Sequence, residues 1–198
     1  MMQHRIVQLL ALCVLFCGVS VRAGTITGSV TDERGNPVVE SLIYVDAIPD
    51  SRFDPPEEHV IVDQRNLMFY PHVLPVLVGT VVDFHNGDML LHNVFSPDGC
   101  GDGFQLGTWP RGESRSYTFN DPCTAVILCN VHPEMEAYVV VVETPYFAFT
   151  DDEGHYKIEG VPAGDYTLKI WHERFRSETQ SAIVAETTSV RRDFRFAR

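Results

Sequence analysis

The stretch Thr124-Ala-Val-Ile-Leu-Cys-Asn-Val-His-Pro-Glu-Met-Glu-Ala-Tyr-Val-Val-Val-Val-Glu143 decides how the chain is read. An apolar run, Thr124–Leu128, leads into a tight loop from Cys129 to Met135. A second run, Ala137–Glu143, leads out of it, with Pro145 behind. Both runs are rich in β-branched and aromatic residues, so both are expected to be strands. A short loop between two strands can aim several side chains at one point while the sheet holds the backbone still. This loop offers a thiol (Cys129), an imidazole (His132) and a thioether (Met135).

Working outward, the same texture continues. Upstream lie Gly79-Thr-Val-Val-Asp-Phe-His-Asn86 and Leu91-His-Asn-Val94, both read as strands, the second carrying His92 and Asn93. Turn clusters punctuate the chain at Glu33–Pro37, Asn86–Asp88, Asp151–Gly154 and Pro162–Asp165. Further strands are read at Thr25–Thr31 and Val38–Val45, at Tyr156-Lys-Ile158 and Asp165–Trp171, and near Ser189–Phe196. No segment sustains a helical apolar period. With 12 prolines and 14 glycines in 198 residues, an all-β sandwich architecture is expected.

Residues 1–23 read as a cleavable export signal: His4 and Arg5, an apolar run from Ile6 to Val21, then Val21-Arg-Ala23 at the cleavage position. The apolar run is short for a membrane span. Neither Cys13 nor Cys17 follows the small residue of a lipid-attachment box, so a soluble periplasmic or secreted product without a transmembrane anchor is expected. The chain is acidic, with 27 Asp and Glu against 15 Lys and Arg, and loss of the signal removes two basic residues and no acidic one. That balance argues against nucleic acid and anionic lipid as partners. Of the five cysteines, Cys100, Cys123 and Cys129 follow the signal. An odd number in an exported protein points to a reactive thiol or a metal ligand. In an oxidising compartment a Cys100–Cys123 disulfide is expected, leaving Cys129 with a different task.

Taken singly, Cys129 would be a buried thiol, Met135 core filler and His92 an ordinary strand residue. Together they form a donor set. Cu(I) prefers soft sulfur and Cu(II) accepts imidazole, so two His, one Cys and a weak axial Met suit copper. Zinc more often takes paired cysteines, or histidines with a carboxylate. One copper ion held by His92, Cys129, His132 and Met135 is the expectation. No Ser-His-Asp arrangement, phosphate-binding glycine loop or second copper set is evident, so no catalytic residue and no enzymatic activity are expected.

Residues 57–144 resemble the cupredoxins. The resemblance rests on a Gly-x-x-Val-x-Phe strand from Gly79, the early His92-Asn93, a Gly112-Glu-Ser114 segment and the Cys-x-x-His-x-x-Met spacing with Pro133 after the second His. This short loop is similar to that of amicyanin-like proteins. The resemblance implies a Greek-key sandwich and a type 1 (blue) copper site. It implies that Asn93 ties the two ligand loops together by hydrogen bonds, that Pro133 restrains the loop, and that the chain carries one electron at a time. A c-type cytochrome or an amine dehydrogenase is the implied redox partner. The glycine-rich stretch around Cys100 departs from the small cupredoxins.

Two further segments, Gly28-Ser-Val-Thr-Asp-Glu-Arg-Gly-Asn-Pro-Val38 and Thr150-Asp-Asp-Glu-Gly-His-Tyr-Lys-Ile-Glu-Gly-Val-Pro-Ala-Gly-Asp-Tyr-Thr-Leu168, resemble the carboxypeptidase regulatory-like family, a transthyretin-like β-sandwich related in fold to some carbohydrate-binding modules. Both motifs normally lie in one compact domain. Residues 24–48 and 146–198 are therefore expected to form one discontinuous sandwich with the cupredoxin-like block inserted, after a Pro-rich acidic loop from Pro49 to Glu58. Copper delivery or storage, and a sugar- or peptide-binding module with an accessory copper, are the rival functions. His72 and His85 are expected to be structural or at the surface, His172 at the surface, and His59 and His155 solvated.

Overall fold

The computed structural model describes residues 23–97, 100–185 and 188–196. The expected export signal lies outside these residues except for Ala23. Among the described residues every regular element is a strand, and no helix is long and apolar enough to cross a membrane.

The described residues open with β1 (Ala23–Thr31) and β2 (Leu42–Val45). The middle block contributes β3 (Val60–Arg65), β4 (Met68–Tyr70), β5 (Val73–Leu77), β6 (Thr80–Asn86), β7 (His92–Ser96), β8 (Phe104–Trp109), β9 (Ser114–Phe119), β10 (Cys123–Leu128) and β11 (Glu136–Val142). The last part adds β12 (Phe147–Phe149), β13 (His155–Pro162), β14 (Gly164–His172), β15 (Phe175–Val184), β16 (Ser189–Arg191) and β17 (Phe194–Arg195).

Two sandwiches result. In the first, a β5-β11-β10-β7-β8 sheet faces a β4-β3-β6-β9 sheet. Phe84, Phe119, Trp109, Val94 and Ile127 fill the space between them. In the second, β12-β2-β14-β15 faces β13-β1-β16, with β17 also on β1. Its core is built from Ile26, Val30, Ile43, Leu168, Ile170, Phe194 and neighbours. The N-terminal strands pair with strands that follow the middle block: β1 runs antiparallel to β13 and parallel to β16 and β17, and β2 is antiparallel to β12 and β14.

β11 is the strand that joins the two bodies. Its alternation sends Ala137, Val139 and Val141 into the first core. Val140 and Val142 point the other way and pack with Leu42 and Trp171, with Tyr138 and Phe147 at the margin. A sheet residue buried on either face is removed from water at about 2 kcal/mol per large aliphatic side chain, so this seam is a hydrophobic joint rather than a tether. At its edge, His72 Nε2 lies 2.6 Å from Glu173 Oε2 and its Nδ1 lies 3.1 Å from the Glu136 carbonyl, linking the two sandwiches by polar contacts as well.

Two local expectations need adjustment. The strand read at Val38–Val45 is shortened to Leu42–Val45, because Glu40 takes a left-handed backbone, φ 54°. The strand read near Ser189–Phe196 is split between β16 and β17. β15, a 10-residue strand, is absent from the sequence reading. Its exposed Arg176, Ser177 and Thr179 mask the alternation that Ala182 and Val184 reveal at its end.

Candidate metal centre

β7 and β10 are antiparallel neighbours, with Leu128 opposite Phe95. That register lays the loop after β10 beside the start of β7. Cys129 follows the last residue of β10, His92 opens β7, and His132 reaches back from the loop. The Met135 N–H donates to the His132 carbonyl at 3.0 Å, closing the loop on itself.

The donors converge. His132 Nδ1 lies 3.0 Å from His92 Nδ1, and Cys129 Sγ lies 4.0 Å from the same nitrogen. The ligand atoms of His92, Cys129 and His132 all fall within 4.8 Å of one another. His92 is fully buried, Cys129 and Met135 nearly so, and His132 is half-buried. Pro133 is exposed at the loop tip.

The tautomer of His92 follows from its other nitrogen. Nε2 lies 2.9 Å from Asp88 Oδ2. A carboxylate only accepts, so Nε2 carries the proton and Nδ1 presents a lone pair to Cys129 and His132. Asp88 is itself fixed, accepting the backbone N–H of Asn66 at 2.7 Å and of Leu67 at 3.0 Å. Desolvation pushes its pKa up, but donation from Leu67, His92 and Asn66 outweighs this and holds it below the usual carboxylate range. A metal-facing imidazole whose far nitrogen is anchored by a carboxylate is a recurrent arrangement in metal sites.

Asn93 sits where β7 and the ligand loop meet. Its Oδ1 accepts the Asn130 N–H at 2.6 Å, and its Nδ2 donates to Gln105 Oε1 at 3.2 Å on β8. Asp88 and Gln105 were not singled out from the sequence. Asp88 carried a signal, an acidic residue four positions before His92, but it lies inside a turn cluster and reads there as a turn former.

Cys100 and Cys123 are joined in a disulfide, with Cα atoms 5.3 Å apart, and Cys129 is the free cysteine among the described residues. The other histidines lie elsewhere. His59 pairs with Asp83 at 3.0 Å, and His85 contacts Ser114 at 3.1 Å. His155 is exposed at the start of β13, beside Asp151 and Glu153. The surface placement read for His172 is corrected: it is buried, between Phe175 and Phe196, with ring centroids 5.1 and 6.1 Å away. Both aromatics come later in the chain, Phe175 at the start of β15 and Phe196 just past β17, which is why its immediate neighbours suggest exposure.

The fold and the site together define an all-β chain of two sandwiches carrying a buried His-Cys-His cluster at the end of one of them. The family model of the carboxypeptidase regulatory-like domain matches residues 132–197, from the ligand loop through the C-terminal strands. Comparison with curated proteins returns no match. Among solved structures, the chain is similar to a copper-containing nitrite reductase from Thermus scotoductus SA-01, at 29% identity over 50% of this chain with a TM-score of 0.42. Only 25% of that reductase is covered. It is also similar to a reduced amicyanin variant, at 28% identity over 48% of this chain and 96% of amicyanin, TM-score 0.41. A purple cupredoxin from Nitrosopumilus maritimus aligns at 22% identity over 41% of this chain and 98% of its own length, TM-score 0.38.

Proposed function

We propose that this chain is an exported one-electron carrier with one type 1 copper, bound by His92 Nδ1, Cys129, His132 and Met135. The observation that carries the reading is the convergence of two imidazole nitrogens and a thiol in a buried pocket, with the proton of His92 placed on the far nitrogen by Asp88. The two Nδ1 atoms, 3.0 Å apart, are close enough to share one cation. The donor set also fits the metal: soft sulfur and borderline imidazole suit both copper oxidation states. Bound copper supplies the redox couple, cycling between Cu(I) and Cu(II).

The protein's part is to hold the donors still and dry. β7 and β10 fix His92 and Cys129, Asn93 latches the loop to β7, and Pro133 fixes one backbone dihedral within it. A site filled by four protein donors leaves no position for substrate, which supports a carrier over an enzyme. His132 is the donor nearest solvent. The side chains flanking the two imidazoles, Met89, Leu90, Leu91 and Val131, are 45–79% exposed. They give a redox protein partner an apolar face on which to approach. We also propose that residues 24–48 and 146–198 form one host sandwich into which the copper sandwich is inserted.

The test is optical. The full chain loaded with Cu(II) is expected to show intense thiolate-to-copper charge transfer, abolished in Cys129→Ser. A colourless wild type with full copper occupancy refutes the type 1 reading. Retention of Cu(I) against a chelator, together with fast electron self-exchange, separates a carrier from a delivery protein, which would surrender the metal readily.

A further inference from the structure

Between the two sandwiches, on the far side of the ligand loop from β7, runs an open cleft of about 840 Å³. One wall is the β3–β4 hairpin, which presents Met68 and Tyr70, each 59% exposed. The opposite wall is the second sandwich, which presents Phe149 and Glu40. The ligand loop contributes Glu134 and Glu136 between them.

The carboxylates are not neutralised. Glu40, Glu134 and Glu136 are exposed and have no lysine or arginine within ion-pair distance among the described residues. Glu136 accepts the Tyr138 hydroxyl. The guanidinium lining the cleft, Arg65, is engaged away from them: it lies over the Tyr70 ring, 4.1 Å from its centroid, and 3.9 Å from Asp63. The His72 ring is occupied by Glu173 and the Glu136 carbonyl.

The rim is built at a conformational cost. Glu40, Asn66 and Leu67 all adopt left-handed backbone, with φ of 54°, 54° and 59°. Non-glycine residues are uncommon there, and a leucine especially so. At Glu40 this break ends the approach to β2 and turns the carboxylate-bearing residue to the cleft. At Asn66 and Leu67 it makes the tight hairpin that projects Met68 and Tyr70. Positive φ at both central positions is what a two-residue hairpin turn requires.

We propose that this cleft is a docking groove for a basic, partly apolar segment of a partner protein, with lysine or arginine side chains meeting Glu40, Glu134 and Glu136 and aliphatic side chains packing on Met68, Tyr70 and Phe149. Charge complementarity selects this occupant. A second copy of the chain, with its net charge of −12, meets the groove with like charge. The groove is separate from the apolar face around His92 and His132, and it exists only because two sandwiches meet. Met135, one of the proposed copper ligands, also lines the cleft between Glu134 and Glu136, so the titration below is made with and without copper.

The experiment is a titration of the full chain, with and without copper, by an N-acetylated, C-amidated Lys-Leu-Lys-Leu-Lys peptide, followed by calorimetry and amide NMR. Binding is expected to weaken with salt and to shift the amides of Met68–Tyr70, Glu134–Glu136 and Phe149. The double variant Glu134→Lys/Glu136→Lys is expected to lose about tenfold in affinity through like-charge repulsion. Phe149→Ala, on the opposite wall and away from the ligand loop, is expected to lose about fivefold. Glu57→Lys/Glu58→Lys makes the same change in net charge in the loop before β3 and is expected to leave affinity within about twofold. Equal loss from the two charge variants, pentalysine binding as tightly as the leucine-containing peptide, shifts confined to Met89–Leu91 and Val131, or no binding at millimolar peptide would each overturn the proposal.

Discussion

His92 and His172 occupy comparable places in the two sandwiches. Each lies at a strand end, each is buried, and each has a carboxylate nearby in sequence. Their surroundings then diverge. The His172 Nδ1 accepts the Arg174 N–H at 3.1 Å, and two phenylalanine rings pack on its imidazole. Burial, chiefly, and the neighbouring Arg174 charge push its pKa below the ordinary 6.5. His92 instead has its far nitrogen anchored by Asp88 and its near nitrogen aimed at another imidazole and a thiol. Burial of a histidine thus goes with packing in one sandwich and with a cluster of convergent donors in the other. What separates them is whether a lone pair is satisfied by the backbone or left facing other donors.

The sharpest way to break this contrast is to exchange the losses. His92→Ala is expected to abolish the charge-transfer colour and tight copper binding, measured by competition with a chelator. His172→Phe is expected to leave both unchanged. Copper bound normally by His92→Ala, or lost from His172→Phe, would erase the distinction.

A smaller effect is expected at Asp88. Asp88→Asn keeps the shape but replaces a pure acceptor with an amide that can turn either end toward His92. Metal affinity is expected to fall about 10- to 100-fold, as for other outer carboxylates on metal-bound histidines, with the colour retained. An unchanged affinity would mean that packing alone orients His92.

The smallest effect is a pH dependence specific to His172. Its folded pKa lies below its unfolded one, so the unfolded chain binds the proton first as pH falls. Stability is therefore full above about pH 6.5 and declines as pH drops below that value toward the folded pKa. The comparison is the urea midpoint at pH 8 and pH 5 in wild type and His172→Phe. The variant is expected to lose less on acidification, the difference isolating this residue from His59, His72 and the metal donors.

These residues also show what the sequence could carry. Cys129, His132 and Met135 share one loop, so their proximity is a matter of spacing and legible at once. The all-β character was legible too, because β-branched runs and turn clusters repeat along the chain. Asp88 was hidden, since nothing local says that a turn aspartate faces the ring four residues on. His172 was misread because Phe175 and Phe196 reach it through tertiary pairing. β15 was passed over because its solvent face is charged and hydroxylated, and its apolar alternation emerges only at the end. The cleft and the seam are relations between two sandwiches and have no signature in either one.

The double burial of β11 bears on how the chain could have changed over time. Its core-facing and seam-facing residues together make the run Val139-Val-Val-Val142, uncharged and β-branched throughout, of the kind that stacks readily into fibrils when uncovered. In an ordinary surface-facing strand every second position is free to drift to a polar residue. Here neither parity is free, so a substitution scan should find β11 intolerant at consecutive positions and β9 only at alternate ones. The sandwich that contains β11, separated from the other, would lie one face away from aggregation, and could become independent only by first acquiring charges where Val140 and Val142 now stand.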